Sequence, residues 1–437
     1  MKKLERFLLY FFIFSVPFQI RKVLFSISSG DKFLEWNSGF LYFTDLLLIT
    51  ILFLGFLRRG IKFKKADIFI GLFFLIVGLS LITSQNIELS AYQLIKLIEL
   101  ILLFLYIKYN LSLLNLRKIL GIFVASGVFQ ALLAISQFFF QSSLGLKHFE
   151  AGIFNANIPG VATFFVQGTK FIRAYGTAPH PNVLAVFLLT SIFCLYYLYA
   201  TRITRISARM IQIIVLFILM LGLFLTFSRA VIIIFVGASL FYFFIVFLHL
   251  NKLKRHKIIE LFILFIIICG FFIVIFWPEI SARFLGTSLD EQAVTLRVHY
   301  NDIALSIIKE KPLLGLGSGN FVWYLLSNYQ FKNFWLYQPV HNLYLLIASE
   351  TGILSLLFFL LFVGSNLWNS YFRKKFDSLQ LTFLFLVSCF LFLGLIDHYF
   401  WTIQQSRLLF WLVLAIISGL ACPRSLMDKT SPSGGEE

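Results

Sequence analysis

Arg229, Arg297 and His341 are the residues whose type and setting point to chemistry. Arg229 lies in Thr226-Phe227-Ser228-Arg229-Ala230, a very short connection between two long apolar stretches. A cation wedged there either meets an anion or snorkels to lipid headgroups. Residues Glu291 to Lys311 have helical periodicity: Leu296, Tyr300, Ile303, Ala304 and Ile307 share an apolar face, and Arg297 and Asn301 project together from another. His341-Asn342 follows Pro339, a residue suited to the start of a helix, where the helix dipole favours a neutral ring that can take a proton; the alternative is a histidine hydrogen-bonded at an interface. Upstream, Arg173 is followed by Pro179-His180-Pro181-Asn182, in which His180 either binds a ligand or simply ends a loop. Guanidinium forks bind phosphate oxygens bidentately, and a neutral histidine can deprotonate a hydroxyl. A phosphate leaving group and a sugar hydroxyl as attacker would fit these residues. No metal is expected, because the arginines can neutralise a departing diphosphate and the sequence shows no Asp-x-Asp pair and no cysteine or histidine cluster.

The elements that must position these residues are membrane helices. The chain has 437 residues, 59% of them hydrophobic and only 13% charged, which excludes an ordinary soluble domain. Apolar runs predict about twelve transmembrane helices, at roughly 7–20, 40–57, 67–83, 93–107, 119–140, 182–200, 210–227, 230–249, 258–277, 340–368, 379–396 and 403–421. The formal charge of +17 is absorbed by topology rather than by nucleic acid. Threaded from an inside N-terminus, the short inner loops collect Lys2, Lys3 and Arg6, then the cluster Arg58 to Lys65, then Lys252 to Lys257 and Arg373 to Lys375. That is the positive-inside bias, and it puts both termini in the cytoplasm. Two long segments, 141–181 and 278–339, face outward, the second between spans nine and ten. The inner loops are too short for a nucleotide-binding domain, so chemistry is expected on the outer face. Residues 1–421 read as one membrane domain containing the 278–339 outer loop, and 422–437, rich in Ser, Pro, Gly and charge, as a disordered cytoplasmic tail. The four cysteines suggest no disulfide framework, and no internal repeat is visible.

Two further features are open at this level. The run Pro312-Leu313-Leu314-Gly315-Leu316-Gly317-Ser318-Gly319-Asn320 permits a tight turn with exposed backbone N–H groups, or is a plain loop. Glu350, about 13 Å down the helix from His341 at 1.5 Å per residue, is either an intramembrane functional carboxylate or the partner of a buried cation such as Lys96.

Taken in order, Ser228-Arg229, Arg297-x-x-Tyr300-x-x-x-Ala304, Pro312-Leu313-Leu314-Gly315-Leu316-Gly317-x-Gly319-Asn320-Phe321, His341-Asn342-x-Tyr344-Leu345 and Glu350-Thr351-Gly352 resemble the signature of the O-antigen ligase and O-antigen polymerase (Wzy-like) superfamily. The resemblance covers roughly residues 222–365, with Arg173 to Asn182 as a weaker element upstream. It departs from the family at Tyr300, where a tryptophan is common, and at Ala230, where a glycine often stands. The resemblance implies an all-α, GT-C-like polytopic glycosyltransferase of the bacterial inner membrane. Such an enzyme needs no cofactor and moves a glycan from an undecaprenyl-diphosphate carrier to an acceptor hydroxyl on the periplasmic face. Carried over, Arg229 and Arg297 would bind the diphosphate, His341 with Arg297 would be catalytic, and Arg173, His180, Asn301 and Asn342 would contact substrate.

A lipid A core acceptor would make the protein an O-antigen ligase in lipopolysaccharide biosynthesis, the reading preferred here. A carrier-bound glycan acceptor would make it a polymerase, and a protein acceptor an oligosaccharyltransferase. From other classes stand a flippase for a lipid-linked anion and a polytopic envelope scaffold.

Overall fold

The computed structural model describes residues 2–27, 33–60, 63–146, 149, 152–201, 206–249, 252–284, 288–331, 333–371 and 378–421. The expected tail at 422–437 and the basic run Arg373 to Lys375 lie outside them. In chain order the elements begin with α1 (Lys2–Ser15), a hairpin of β1 (Arg21–Ser26) and β2 (Ser38–Tyr42), α2 (Phe43–Arg59), α3 (Ile68–Leu79), α4 (Ile87–Asn110) and α5 (Leu116–Phe140). A second hairpin, β3 (Thr163–Val166) and β4 (Thr169–Ile172), precedes α6 (Pro181–Thr201), α7 (Ile206–Leu225), α8 (Arg229–His249) and α9 (Lys252–Ile275). Then come α10 (Trp277–Phe284), α11 (Ser288–Glu310), α12 (Phe321–Asn328), α13 (Leu343–Thr351), α14 (Ile353–Tyr371), α15 (Ser378–Gly394), α16 (Tyr399–Thr402) and α17 (Gln404–Leu420).

The protein is an all-α polytopic membrane protein. Each of the twelve apolar runs is helical, and eight helices among the described residues are long and apolar enough to cross a bilayer; α15 and α17 are shorter apolar helices. Short connections between packed neighbours make successive helices antiparallel. α6 and α17 form the centre, apolar on every side and buried almost throughout. α8 and α9 instead turn side chains such as Ile233, Phe241 and Val274 outward, as lipid-facing helices do. Charges within the bundle are paired: Lys96 contacts Asp45 and, at 3.2 Å, Glu99, while Lys108 meets Asp67 at 2.6 Å. Lys96 is therefore not the partner of Glu350.

The span expected at 340–368 is broken. α13 ends at Thr351, and Gly352, with φ of +88°, turns the chain before α14 begins at Ile353. A Cβ at Gly352 would lie 1.9 Å from the Leu313 carbonyl oxygen, so only glycine admits the strap that crosses there. That strap is the glycine run. Leu316 and Gly317 N–H donate to the Ser349 and Glu350 carbonyls at 3.1 and 2.8 Å, and Ile353 N–H donates to the Pro312 carbonyl at 2.8 Å. The Leu316 and Gly317 N–H groups are spent on gripping α13, so of the two readings left open by the sequence the turn with exposed N–H groups is not the one formed. Glu350 accepts from Trp401 Nε1 at 2.9 Å and from Phe321 N–H at 3.3 Å.

The helix expected at Glu291–Lys311 is α11. Its predicted apolar face packs as drawn: Tyr300, Ile303, Ala304 and Ile307 form a separate small core with Leu316, Phe321, Leu325 and Val340. The segment 278–339 is thus mostly helical, with its own core leaning on α13.

Candidate active site

At the end of the bundle where α1, α5, α7 and α9 finish, the connecting segments enclose a cavity of about 430 Å³. Arg173, His180, Arg229, Arg297 and His341 all line it, joined by Ser228, Arg283, Asp397 and His398. Two residues singled out from the sequence do not. The Asn342 side chain caps α13, accepting from Tyr344 and Leu345 N–H at 3.0 and 3.1 Å and donating to the Leu395 carbonyl. Asn301 is outside the cavity, its Oδ1 buried and without a hydrogen-bond partner.

One wall is cationic. The β3–β4 hairpin delivers Arg173, whose Nε donates to the Thr226 carbonyl at 2.7 Å and whose Nη2 donates to Asn182 Oδ1 at 2.6 Å. Burial, reinforced by the charge of Arg283, pushes Arg173 down to about 9. Arg229 is the first residue of α8; the three-residue turn before it includes Phe227 at a φ of +45° and presents the Arg283 Nε with the Phe227 carbonyl at 3.5 Å. Arg297 comes from α11. Four guanidinium groups around one cavity make a site for a multiply charged anion.

The same cavity carries titratable groups. His341 precedes the Asn342 cap, with Nε2 at 3.2 Å from Gln338 Oε1 and Nδ1 at 3.5 Å from Asp397 Oδ1. Asp397 also accepts from His398 N–H at 2.9 Å and from Asn182 Nδ2 at 3.0 Å. Burial alone would raise its carboxyl, but the approach of His341 at 3.5 Å and the neighbouring histidines hold it well below the usual range, so it is ionised. His398 Nδ1 lies 2.7 Å from Thr402 Oγ1, and burial depresses this ring to about 3. His180 is lowered to about 3, first by burial and then by Arg173; its Nδ1 accepts from Asn182 N–H at 3.1 Å. Asn182 is the hub, since Arg173, Asp397 and the Ser228 hydroxyl at 2.9 Å all bond to it.

The expectation that no histidine cluster exists is corrected: the His341, Asp397 and His398 ligand atoms lie within 4.8 Å of one another. Sequence reading missed Asp397 and His398 because they form a bare dipeptide in the apolar run Leu395-Ile396-Asp397-His398-Tyr399-Phe400. The available signal was their cost, two ionisable groups placed between apolar helices.

The fold and cleft define a multi-pass membrane protein with a cavity lined by arginines and histidines at one end of its bundle. Residues 213–360 match the O-antigen ligase family model, a stretch of about a third of the chain that includes Arg229, Arg297 and His341. Over that segment the chain is similar to the O-antigen ligase family. No curated protein matches the chain.

Proposed function

We propose that the protein is an O-antigen ligase: it transfers a glycan from undecaprenyl diphosphate to a hydroxyl of the lipid A core at the periplasmic face of the inner membrane. The single observation that carries the reading is the meeting, in one cavity, of four arginines with the His341–Asp397 pair. Arg173, Arg229, Arg283 and Arg297 offer the charge that a diphosphate needs. The acceptor oxygen attacks the anomeric carbon, its proton passes to the His341 ring, the bond from that carbon to phosphate oxygen breaks, and the carrier leaves as undecaprenyl diphosphate. Asp397 orients the ring through Nδ1 and stabilises the imidazolium formed. The periplasmic assignment and the cytoplasmic termini rest on the positive-inside bias, with Arg58 and Arg59 closing α2 and Lys252–Lys257 opening α9 at the end of the bundle away from the cavity.

The His341, Asp397 and His398 grouping has the residue types of a divalent-cation site, but four guanidiniums in the same cavity repel a dication, and Thr402 and Asn182 already take up His398 Nδ1 and one Asp397 oxygen. The reading is therefore metal-independent transfer. Purified protein in nanodiscs, given an undecaprenyl-diphosphate oligosaccharide and lipid A core in EDTA, is expected to form glycosylated acceptor, and His341→Ala to bind the carrier without forming product. Longer carrier-linked chains with untouched lipid A core would replace ligase by polymerase. Specific lipid binding with no turnover on any acceptor would favour a flippase.

A further inference from the structure

A second, smaller cavity of about 50 Å³ shares Glu35, Trp36 and Ile403 as walls with the cleft. Its chemistry is different. Where the cleft has arginines, this alcove has the amides of Gln19, Gln93, Gln404 and Gln405, with Tyr42 and Tyr92 among its aromatic side chains. The charged residues it touches in the interior have partners: Arg407 Nη2 donates to Gln93 Oε1 at 2.6 Å, and Glu350 is held by Trp401 and Phe321.

Two acceptors have none. Gln19 and Gln405 are 8% and 3% exposed, and the Oε1 atoms of both are buried without a hydrogen-bond donor, although Gln405 Nε2 donates to the Phe18 carbonyl at 3.1 Å. A buried amide oxygen calls for an O–H or N–H. Trp36, at the wall common to both cavities, stands edge-on to His398 with ring centroids 5.3 Å apart, and the His398 ring is 5.0 Å from that of His341. An indole two rings away from the proposed base, beside a pocket of unsatisfied amide oxygens and remote in character from the cationic wall, is a platform for a polyhydroxyl ring.

We infer that Trp36, Gln19 and Gln405 form the acceptor subsite and that it takes an uncharged sugar, stacked on Trp36 with an exocyclic hydroxyl reaching into the alcove. The alcove, about 50 Å³ against about 430 Å³ for the cleft, takes the hydroxymethyl group while the ring stays in the larger cleft. Glu35 is ion-paired with Arg21 at this wall, so the unsatisfied groups the alcove offers a ligand are neutral amides. A serine or threonine side chain supplies neither the ring face nor the second hydroxyl. The inference rests on the glycosyl-transfer reading for its name as an acceptor site and on the alcove alone for its ligand class.

The test separates the two. Nanodisc protein free of glycoside detergents is titrated with methyl β-glycosides of glucose, galactose and N-acetylglucosamine, with their 6-phosphates and with a Ser/Thr peptide. Binding is read by saturation-transfer NMR, and transfer from the undecaprenyl-diphosphate donor is read in parallel. At least one neutral glycoside is expected to bind, and Trp36→Ala to weaken it at least tenfold. Trp36→Phe restores most of the affinity, Gln405→Ala weakens binding about fivefold, and the donor KM stays within twofold throughout. Equal binding of the 6-phosphates or the peptide, or a Trp36→Ala effect on donor KM alone, overturns the inference. Trp36-dependent sugar binding without turnover supports it while refuting glycosyl transfer.

Discussion

Asp397→Asn separates the orienting carboxylate from the base it serves. Asp397 Oδ1 stands 3.5 Å from His341 Nδ1. When His341 takes the acceptor proton, that carboxylate faces a new positive charge. At an effective dielectric constant of about 20 the attraction is about 5 kcal/mol, an upper limit of roughly three and a half decades in rate at about 1.4 kcal/mol per decade. Part of the carboxylate charge is already engaged by Asn182 and the His398 N–H. A fall in kcat of about 10²- to 10³-fold is expected, with donor KM little changed. The assay is single-turnover transfer by wild type, Asp397→Asn, His341→Ala and the double variant, with thermal midpoints measured alongside to confirm folding. Because Asp397 acts through His341, its substitution should cost less than threefold once His341 is gone. A loss in the His341→Ala background as large as in wild type would refute the dyad, as would an Asp397→Asn enzyme within threefold of wild-type kcat.

Arg297→Lys should lower kcat/KM for the donor at least tenfold, since an ammonium cannot reproduce a bidentate fork; wild-type donor kinetics would exclude that geometry. Gly352→Ala should destabilise the fold by about 2–4 kcal/mol, because its Cβ would meet the Leu313 carbonyl oxygen at 1.9 Å and its φ is +88°. The thermal midpoint reads that cost, and an unchanged midpoint would contradict the strap. His180 and His398, held at about 3 against 6.5 in the unfolded chain, bind fewer protons folded than unfolded between those values. Their contribution is complete above pH 6.5 and is lost as pH falls towards 3, by up to about 1.4 kcal/mol per pH unit for each ring. The midpoint should therefore drop from pH 7 to pH 5 and drop less in His180→Asn; an increase on acidification would reverse the assignment.

The helices were legible because twelve apolar runs in a chain with 13% charge admit little else. Arg229 and His341 were conspicuous because each stands at the edge of such a run, and Arg297 because it projects with Asn301 from a helix with a clear 3.6-residue period. The apolar face of α11 was written in its 3.6-residue period, and Tyr300, Ile303, Ala304 and Ile307 pack accordingly. What stayed hidden depends on contacts distant in sequence. Asp397 meets His341 only after α15 folds back beside α6 and the chain turns into α16. Lys96 finds Asp45 on α2 rather than Glu350, since hydropathy reports that a charge is buried but not which helix faces it. The glycines of 315–319 looked like an open, N–H-rich turn because spacing does not say which carbonyls approach, and the carbonyls of Ser349 and Glu350 do. Asn342 was carried over as a possible substrate contact from the resemblance, and its side chain caps α13.

The strap from Pro312 to Gly317 has a bearing on how this protein can be altered. It joins the end of α11, which carries Arg297, to α13, which follows His341, by backbone bonds at both Ser349–Glu350 and Ile353. The arginine and the histidine thus share one mechanical frame, and a residue inserted between Lys311 and Phe321 would displace both at once. Ile153, by contrast, is an exposed residue in the segment that precedes β3. Epitope tags or fluorophores belong there, while the strap is where a single added residue should silence the enzyme without touching either side chain.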